Sequence, residues 1–370
     1  MFTFEEYISP ISDTGFAGIE PRSDVSPTST YYALKDLRNQ LRASERVALV
    51  DEEGISSLSR DWLPLLEQCS EAIKTESKDI EYLAWLIESM CRLHGFRGLA
   101  FGFRIAHYLI DNHFEDLFPL LDKGDEKSDK VSALVGLNGI ATEGALIIPI
   151  KSIPLTDGTN YDSFTFWEYQ QAYEISRLSE EKREKKIAQG GVDFDEIEQS
   201  ALETSSEFFL QLKADIENAI EEFAVLSDVM DRVTEQPQPT SNIKQALEFS
   251  LSAVNHVGGD KLQAVEQAGF IDEQLDDSEN ASDEIVDKQN TQSINNGVID
   301  SRASAVKKLE EIAHFFRKTE PHSPMSYTIE QVIRWSELSL PELLNELITD
   351  NDARSGYFKL SGIKVSETET

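Results

Sequence analysis

The chain has 370 residues, of which 40% are hydrophobic, enough to build the cores of two or three domains. Its 68 acidic residues outnumber its 34 basic residues, so the formal net charge at pH 7 is −34. This charge argues against nucleic acid and anionic membrane surfaces as main partners, because both would repel the chain.

The cysteines, the N-terminus and the apolar runs predict where in the cell the protein is located. Cys69 and Cys91 are the two cysteines of this long chain and form no CxxC pair, which predicts buried thiols in a reducing compartment. Residues 1–6 lack the basic and apolar regions of a signal peptide. The most apolar run, residues 145–150, contains a proline and is too short to span a membrane. We therefore expect a soluble cytoplasmic protein that is not inserted in a membrane.

Apolar residues recur at helical rather than alternating spacing in nearly every segment, so we predict an all-α fold. Residues 28–44 are predicted to form the first amphipathic helix. A second helix is predicted to begin at Asp61, whose side chain suits an N-cap. A third restarts at residues 77–79 and ends at Gly95, a residue typical of helix C-termini.

Two further helices complete the N-terminal part. Residues 99–114 are apolar on much of the helix surface, which predicts a central position in the core. Another helix covers about residues 128–141. Together with the proline-interrupted segment 149–154, these elements predict one helical domain over residues 1–155.

A middle helical domain is predicted over residues 156–270. Its main element is a long αα-hairpin at residues 163–235, with a break at Gly190-Gly191 and an apolar stripe on the second arm. Residues 180–186 are a run of charges on the first arm. This run could be a docking patch, although a solvated helix face with i,i+4 charge pairs is the favoured interpretation.

The C-terminal part begins with an acidic segment. Residues 271–300 contain nine acidic residues and one lysine, a composition that predicts a flexible linker. Residues 301–370 follow as a small helical module, whose two apolar helical patterns flank Glu320-Pro321-His322-Ser323-Pro324. The two prolines predict a stiff corner, and His322 is interpreted as part of it. Because so small a module has a limited core, we expect it to bury its apolar faces against another surface.

Candidate catalytic groups have structural interpretations. His107 and His113 are six residues apart on one predicted helix and therefore on different faces. Gly95, Gly98 and Gly102 neither follow a strand nor end in Lys-Ser/Thr, so close helix packing is favoured over a phosphate loop. The aromatic residues at helical spacing could line a ligand pocket, but core positions are favoured. We predict no enzyme activity, no cofactor and no metal site.

Short motifs at both ends of the chain resemble one family. The N-terminal motifs are Ile8-Ser9-Pro10-Ile11-Ser12, Arg60-Asp61-Trp62, Ser77-Lys78-Asp79, Leu83-Ala84-Trp85-Leu86, Gly95-Phe96-Arg97-Gly98-Leu99 and Leu117-Phe118-Pro119. Their order over residues 8–155 resembles the ImpA N-terminal domain of the TssA (ImpA, VasJ) family of the type VI secretion system. Two departures are visible: the family usually has a tryptophan near Phe114, and its early Cys-Gly is Thr14-Gly15 or Ala17-Gly18 here.

The tail resembles the C-terminal assembly domain of the short TssA class. The matching residues are Arg302, Ala305, Leu309, Phe315-Phe316, Glu320-Pro321-His322-Ser323-Pro324, Trp335 and Gly362-Ile363. The resemblance implies a non-enzymatic cytoplasmic scaffold, whose C-terminal domains form a homo-oligomeric ring and whose N-terminal domains project outward. It implies association with the baseplate and priming of tube and sheath assembly. The partners implied are further copies of the chain and the baseplate, inner-tube, sheath and membrane-complex proteins.

Three alternatives remain open at this point. A longer TssA class caps the distal end of the sheath. A non-ring adaptor or chaperone could bind one partner helix in an apolar groove. An unrecognised enzyme is the least favoured alternative.

Two sets of site residues follow. The predicted subunit interface comprises Phe315, Phe316, Pro321, Pro324, Met325, Tyr327, Ile333, Trp335 and Leu338. The N-terminal motif residues, expected to be structural or to contact a partner, are Pro10, Asp61, Trp62, Trp85, Gly95 and Gly98. Trp62 and Trp85 are expected to be core anchors.

Overall fold

A computed structural model describes residues 3–12, 15–50, 55–263, 302–319 and 325–337. The backbone contacts divide the chain into two compact units, Met1–Ala281 and Ser282–Thr370. The described residues form helices joined by turns, with isolated β-bridges and no β-strand, so the all-α prediction is confirmed. The predicted linker at 271–300 and the corner at 320–324 lie outside the described residues.

The helices of the first unit span most of its described length. They are α1 (Phe4–Ile8), α2 (Thr30–Val50), α3 (Leu63–Thr75), α4 (Ile80–His113), α5 (Lys127–Lys130), α6 (Ser132–Asn138), α7 (Ile147–Lys151), α8 (Phe166–Ser176), α9 (Glu180–Ile187), α10 (Phe194–Glu203), α11 (Ser206–Thr234) and α12 (Ser241–Val257). Short 3₁₀ helices lie at Pro21–Ser23 and Ile55–Trp62. The described part of the second unit consists of α13 (Arg302–Thr319) and α14 (Met325–Glu337).

Helix α4 folds back on itself at Gly95. The backbone there has φ 57° and ψ −141°, a conformation that favours glycine, and it separates two helical arms. A Cβ atom on Gly98 would lie 2.3 Å from the carbonyl oxygen of Met90 on the preceding arm. The arms therefore pack with their backbones in close approach. Both the helix end at Gly95 and the close-packing interpretation of the glycines are confirmed.

The N-termini of α3 and α4 are capped differently. Asp79 begins α4 in extended backbone geometry, and its Oδ1 accepts the backbone N–H groups of Glu81 at 2.8 Å and Tyr82 at 3.2 Å. The prediction that Asp61 caps α3 is wrong. Asp61 lies in the 3₁₀ helix and is exposed, whereas Trp62 holds the N-cap position with φ −77° and ψ −10°. Because the chain enters α3 from another helix, the cap residue lacks the extended backbone that a capping aspartate uses.

The hydrophobic core of the first unit includes residues from both predicted domains, 1–155 and 156–270. Helix α11 packs mainly against the second arm of α4, where the rings of Phe103 and Phe223 lie 5.0 Å apart. His107 Nε2 lies 2.8 Å from Glu222 Oε2 across the same contact. One continuous cluster of buried residues extends from Tyr7 to Leu262. The division at 155 into two domains stays a prediction.

The predicted αα-hairpin differs from the structure in its first arm. The structure divides this arm into α8, α9 and α10, and α11 turns its apolar stripe toward α4. Helix α9 contains no buried residue, as expected of a solvated helix. Because α9 has no apolar face to bury, packing does not stabilise it as part of one long helix with α8 and α10.

Both cysteines are buried, as predicted. Burial raises the pKa of Cys91 to about 12 and also raises that of Cys69. At neutral pH both side chains are therefore neutral thiols that pack as small apolar groups.

Candidate functional site

The family motif at residues 77–79 is buried. Ser77 is 2% exposed, and Lys78 and Asp79 are 0% exposed. The backbone N–H of Lys78 donates to the Ala17 oxygen at 2.8 Å, and the Lys78 oxygen accepts from Phe118 N at 3.0 Å. The Lys78 ammonium donates to the oxygen of Tyr7 at 2.7 Å. This motif therefore holds three chain segments together and presents no surface to a partner.

Lys78 makes the stability of this junction dependent on pH. Burial lowers the pKa of its ammonium to about 8 from the ordinary value of 10.5. Between these values the unfolded chain binds more protons than the folded chain, so the free energy of unfolding should rise with pH. We expect the free energy of unfolding of the wild type, measured relative to that of Lys78→Met, to rise by about 2 kcal/mol from about pH 7.5 to about pH 9.5.

Urea unfolding at several pH values measures this difference. Lys244→Met is the control, because the Lys244 side chain is 67% exposed in its pair with Glu248. Its curve should stay parallel to that of the wild type across the same range. A difference between wild type and Lys78→Met that did not change with pH would contradict the expectation.

Arg22 joins the N-terminal segment to the start of α4. Its guanidinium Nη1 lies 2.7 Å from Asp79 Oδ2 and 3.0 Å from Glu20 Oε1, and its Nη2 lies 2.9 Å from Glu81 Oε2. Tyr31 also donates its hydroxyl to Glu81 at 2.7 Å. Arg22 and Glu81 line a cavity of about 190 Å³ together with Pro119, Lys130, Ser132 and Ala133. Because three carboxylates already neutralise Arg22, this cavity is poorly suited to an anionic ligand.

A second charge network lies between α2 and the first arm of α4. Arg38 donates from Nε and Nη2 to the two carboxylate oxygens of Glu88, whose side chain is fully buried. Arg92 donates to both oxygens of Glu45, and its guanidinium lies 3.7 Å from the ring centroid of Trp62. Two bidentate ion pairs thus connect α2 with α4.

The sequence reasoning missed this network, although a signal was present. Lys35, Arg38, Arg42 and Arg46 recur at steps of three and four on α2, in a chain with twice as many acidic as basic residues. That spacing places four basic side chains along one side of a helix. The carboxylate that pairs with Arg38 is Glu88, which lies 50 positions away in the sequence, so its identity could not be read from α2 alone.

The N-terminal motif residues do not form one surface. Trp62 and Trp85 are buried in the core, while Pro10 and Asp61 are exposed. Gly95 and Gly98 lie at the fold-back of α4. A structural role thus fits the tryptophans and glycines, and a partner contact at Pro10 or Asp61 stays a prediction.

The tail helices present several apolar side chains to solvent. Phe315 is 58% exposed, Tyr327 60%, Ile312 44% and Val332 43%. Phe316, Ile333 and Trp335 are partly buried. Pro321, Pro324 and Leu338 lie outside the described residues, as does the side chain of Met325.

An exposed ion pair connects the two tail helices. Arg317 of α13 lies 2.9 Å from Glu330 of α14, and the same guanidinium lies 5.4 Å from the ring centroid of Tyr327. Ala313 and Ser326 are buried, each 2% exposed. The described tail is thus an αα unit with a small interior and an apolar exterior.

No group of three or more His, Cys, Asp or Glu side chains is arranged to hold a metal ion in the part of the chain that the structure describes. Among the helices of those residues, none combines the length and the apolar character that crossing a bilayer requires.

Comparisons with known proteins agree on one family. The family model described as ImpA, N-terminal, type VI secretion system matches residues 8–139. The type VI secretion system component TssA1 of Pseudomonas aeruginosa is 22% identical over 295 residues, which are 78% of this chain and 81% of that protein.

A solved structure shares the fold. It is the N-terminal domain, including the conserved ImpA_N region, of the TssA component of the type VI secretion system from Burkholderia cenocepacia. It has a TM-score of 0.57 and 18% sequence identity, and the match covers 70% of this chain and 95% of that one. The resemblance read from the motifs is confirmed: residues 8–139 match the ImpA N-terminal family of the type VI secretion system, and the chain is similar to a TssA protein over most of its length.

Proposed function

We propose that the chain is a cytoplasmic, non-enzymatic scaffold that forms a ring through its tail and primes assembly of the secretion tube and sheath at the baseplate. The similarity to TssA proteins supports a role as a component of the type VI secretion apparatus. The observation that carries the finer proposal is the set of exposed apolar side chains on α13 and α14.

The exposed residues have the chemistry of an interface core. Aromatic side chains such as Phe315 and Tyr327 are enriched at the buried centres of protein interfaces. Burying them would contribute roughly 25 cal/mol for each Å² of apolar surface removed from water. The ion pair between Arg317 and Glu330 helps to hold the two helices in register, so both can meet a partner as one unit. These features support self-assembly through the tail.

Repeated contacts of this kind close into a ring when the rotation between neighbours permits it. In such an assembly, each copy uses one face of its tail against a different face of the next copy. The larger N-terminal unit is then available for contacts with baseplate, inner-tube, sheath and membrane-complex proteins.

A double variant tests the proposal directly. Phe315→Asp combined with Tyr327→Asp should lower the particle mass, because each change buries a charge at the proposed contact. Mass photometry of the full chain measures the change. Phe249→Asp is a matched control, since Phe249 is 56% exposed on the first unit and should leave the mass unchanged.

The outcomes separate the alternatives. If the double variant and the control keep the same mass as the wild type, the tail helices are not the assembly contact. If the wild type itself is a single copy, a non-ring adaptor becomes the better account.

A further inference from the structure

Arg42 is a half-buried arginine on α2 without an ion pair or hydrogen bond among the described residues. It lies between two residues of the same helix that are paired, Arg38 and Glu45. Both oxygens of Glu88, the carboxylate whose charge acts on Arg42, already accept from Arg38. Arg42 therefore has no acceptor among the described residues. Its nitrogens are also absent from the buried atoms that lack a partner, so the guanidinium remains open to water and to an anion from a partner.

The surroundings of Arg42 carry an excess of positive charge. Among the described residues, Arg38, Arg42, Arg46 and Arg92 stand against two carboxylates, those of Glu45 and Glu88. Burial lowers the pKa of Arg42, and the three other arginines lower it further, against the opposite influence of Glu88. A basic surface in a chain of net charge −34 is unusual enough to require a reason.

The same side of α2 becomes apolar toward its end. Arg42, Arg46 and Val50 follow one another at steps of four residues, about 12 Å along the helix. Val50 is 81% exposed, and Leu49, seven residues after Arg42, is 41% exposed. We call this strip, formed by Arg42, Arg46, Leu49 and Val50, the basic–apolar face. Its pattern is that of a surface complementary to an amphipathic acidic segment.

From these observations we propose that the basic–apolar face of α2 binds an acidic amphipathic segment of a partner protein, with a carboxylate seated on Arg42. The charge of the rest of the chain disfavours long polyanions such as nucleic acid, whereas a short segment is attracted by the local charge within a Debye length of about 8 Å. A free anion would satisfy Arg42 but would leave Leu49 and Val50 uncovered. The proposal does not depend on ring formation by the tail.

Fluorescence anisotropy with the full-length protein tests the proposal. The probe is a fluorescein-labelled helical peptide with two glutamates one turn apart, followed by leucines on the same face. We expect Arg42→Gln to weaken binding about tenfold, because a charge-assisted, bidentate contact is lost. Arg104→Gln is the matched control: Arg104 is exposed, stacks on Phe4, and its loss changes the net charge equally.

A second pair of variants tests the apolar part. Val50→Gln should weaken binding several-fold, whereas Val25→Gln should not, although Val25 is almost as exposed at 78%. Thermal unfolding of each variant verifies that the first unit remains folded. Retained stability is expected, since Arg42 makes no ion pair with another described residue and both valines face solvent.

Four results would overturn the proposal. Arg42→Gln and Arg104→Gln could bind the probe equally, or a peptide with glutamines in place of the glutamates could bind as tightly. Inorganic phosphate could displace the probe at the probe's own concentration, which would indicate a free-anion site. Sedimentation could show that Arg42→Gln lowers the oligomeric state, which would make a second copy of the chain the occupant. Peptide binding by the Phe315→Asp, Tyr327→Asp variant should be normal, so failure of the ring proposal is distinguishable.

Discussion

Removing residues 301–370 is expected to reduce the particle from a multi-subunit assembly to a single copy of the chain. The removed segment carries the whole predicted interface, including the exposed Phe315 and Tyr327. The first unit should remain folded, because the described residues of its core cluster lie between Tyr7 and Leu262. Light scattering measures the mass, and circular dichroism with thermal unfolding measures the folded state.

A reciprocal fusion serves as the control. Residues 301–370 joined to an unrelated monomeric protein should transfer self-assembly to that protein. A truncated chain that kept the stoichiometry of the full-length protein would contradict the assignment of assembly to the tail. A truncated chain that lost its helicity would show that the first unit depends on the tail for folding.

Glu88→Ala is expected to lower the free energy of unfolding by about 3 kcal/mol, the loss typical when one partner of a buried ion pair is removed. The Glu88 side chain is fully buried and holds Arg38 through two hydrogen bonds. Without it, Arg38 would remain in a partly buried position beside Arg42, and the two positive charges would repel each other. Urea unfolding followed by circular dichroism measures the change.

Two further variants distinguish the ion pair from a general packing effect. Replacing both partners, Arg38→Met with Glu88→Met, should recover much of the loss, because no charge is left unpaired. Glu235→Ala, which breaks an exposed pair with Lys127, should change the unfolding midpoint little. If Glu88→Ala were no more destabilising than Glu235→Ala, the buried network would not be a main support of the fold.

Local signals in the sequence predicted both ends of the first arm of α4. Asp79 precedes an apolar helical pattern and caps α4, and Gly95 ends its first arm. Such features depend on residues that are close in sequence, so capping chemistry and glycine geometry are sufficient to place them. At Asp61 the same reasoning was wrong, because the 3₁₀ helix before α3 removes the need for a cap.

The first arm of the predicted hairpin shows a different limit. Residues 163–189 have helical patterns throughout, yet α8 ends at Ser176 and α9 begins again at Glu180. Helical spacing identifies the apolar face of a segment but not which other helix covers it. The structure pairs α11 with α4, a contact between residues more than a hundred positions apart, and no local pattern could predict that choice.

The sequence was likewise sufficient to predict one candidate site but not the other. The exposed aromatic residues of the tail were predictable, because a module of two helices has too small an interior to bury all of its apolar side chains. The basic–apolar face of α2 was not, although its arginines are visible in the sequence. Arg38 and Arg42 are four residues apart and chemically identical, but of the two only Arg38 reaches a carboxylate in the part of the chain that the structure describes.

Composition and short-range spacing were enough to predict the all-α class, the acidic character, the two buried cysteines, the ends of the first arm of α4 and, through the motifs, the resemblance to the TssA family. Three other features became visible only in the folded chain: residues 77–79 are buried, α4 folds back and packs against α11, and Arg42 has no partner among the described residues. Each of these depends on which side chains that are distant in sequence come into contact in the fold. Burial and pairing follow from those contacts, which no single segment determines.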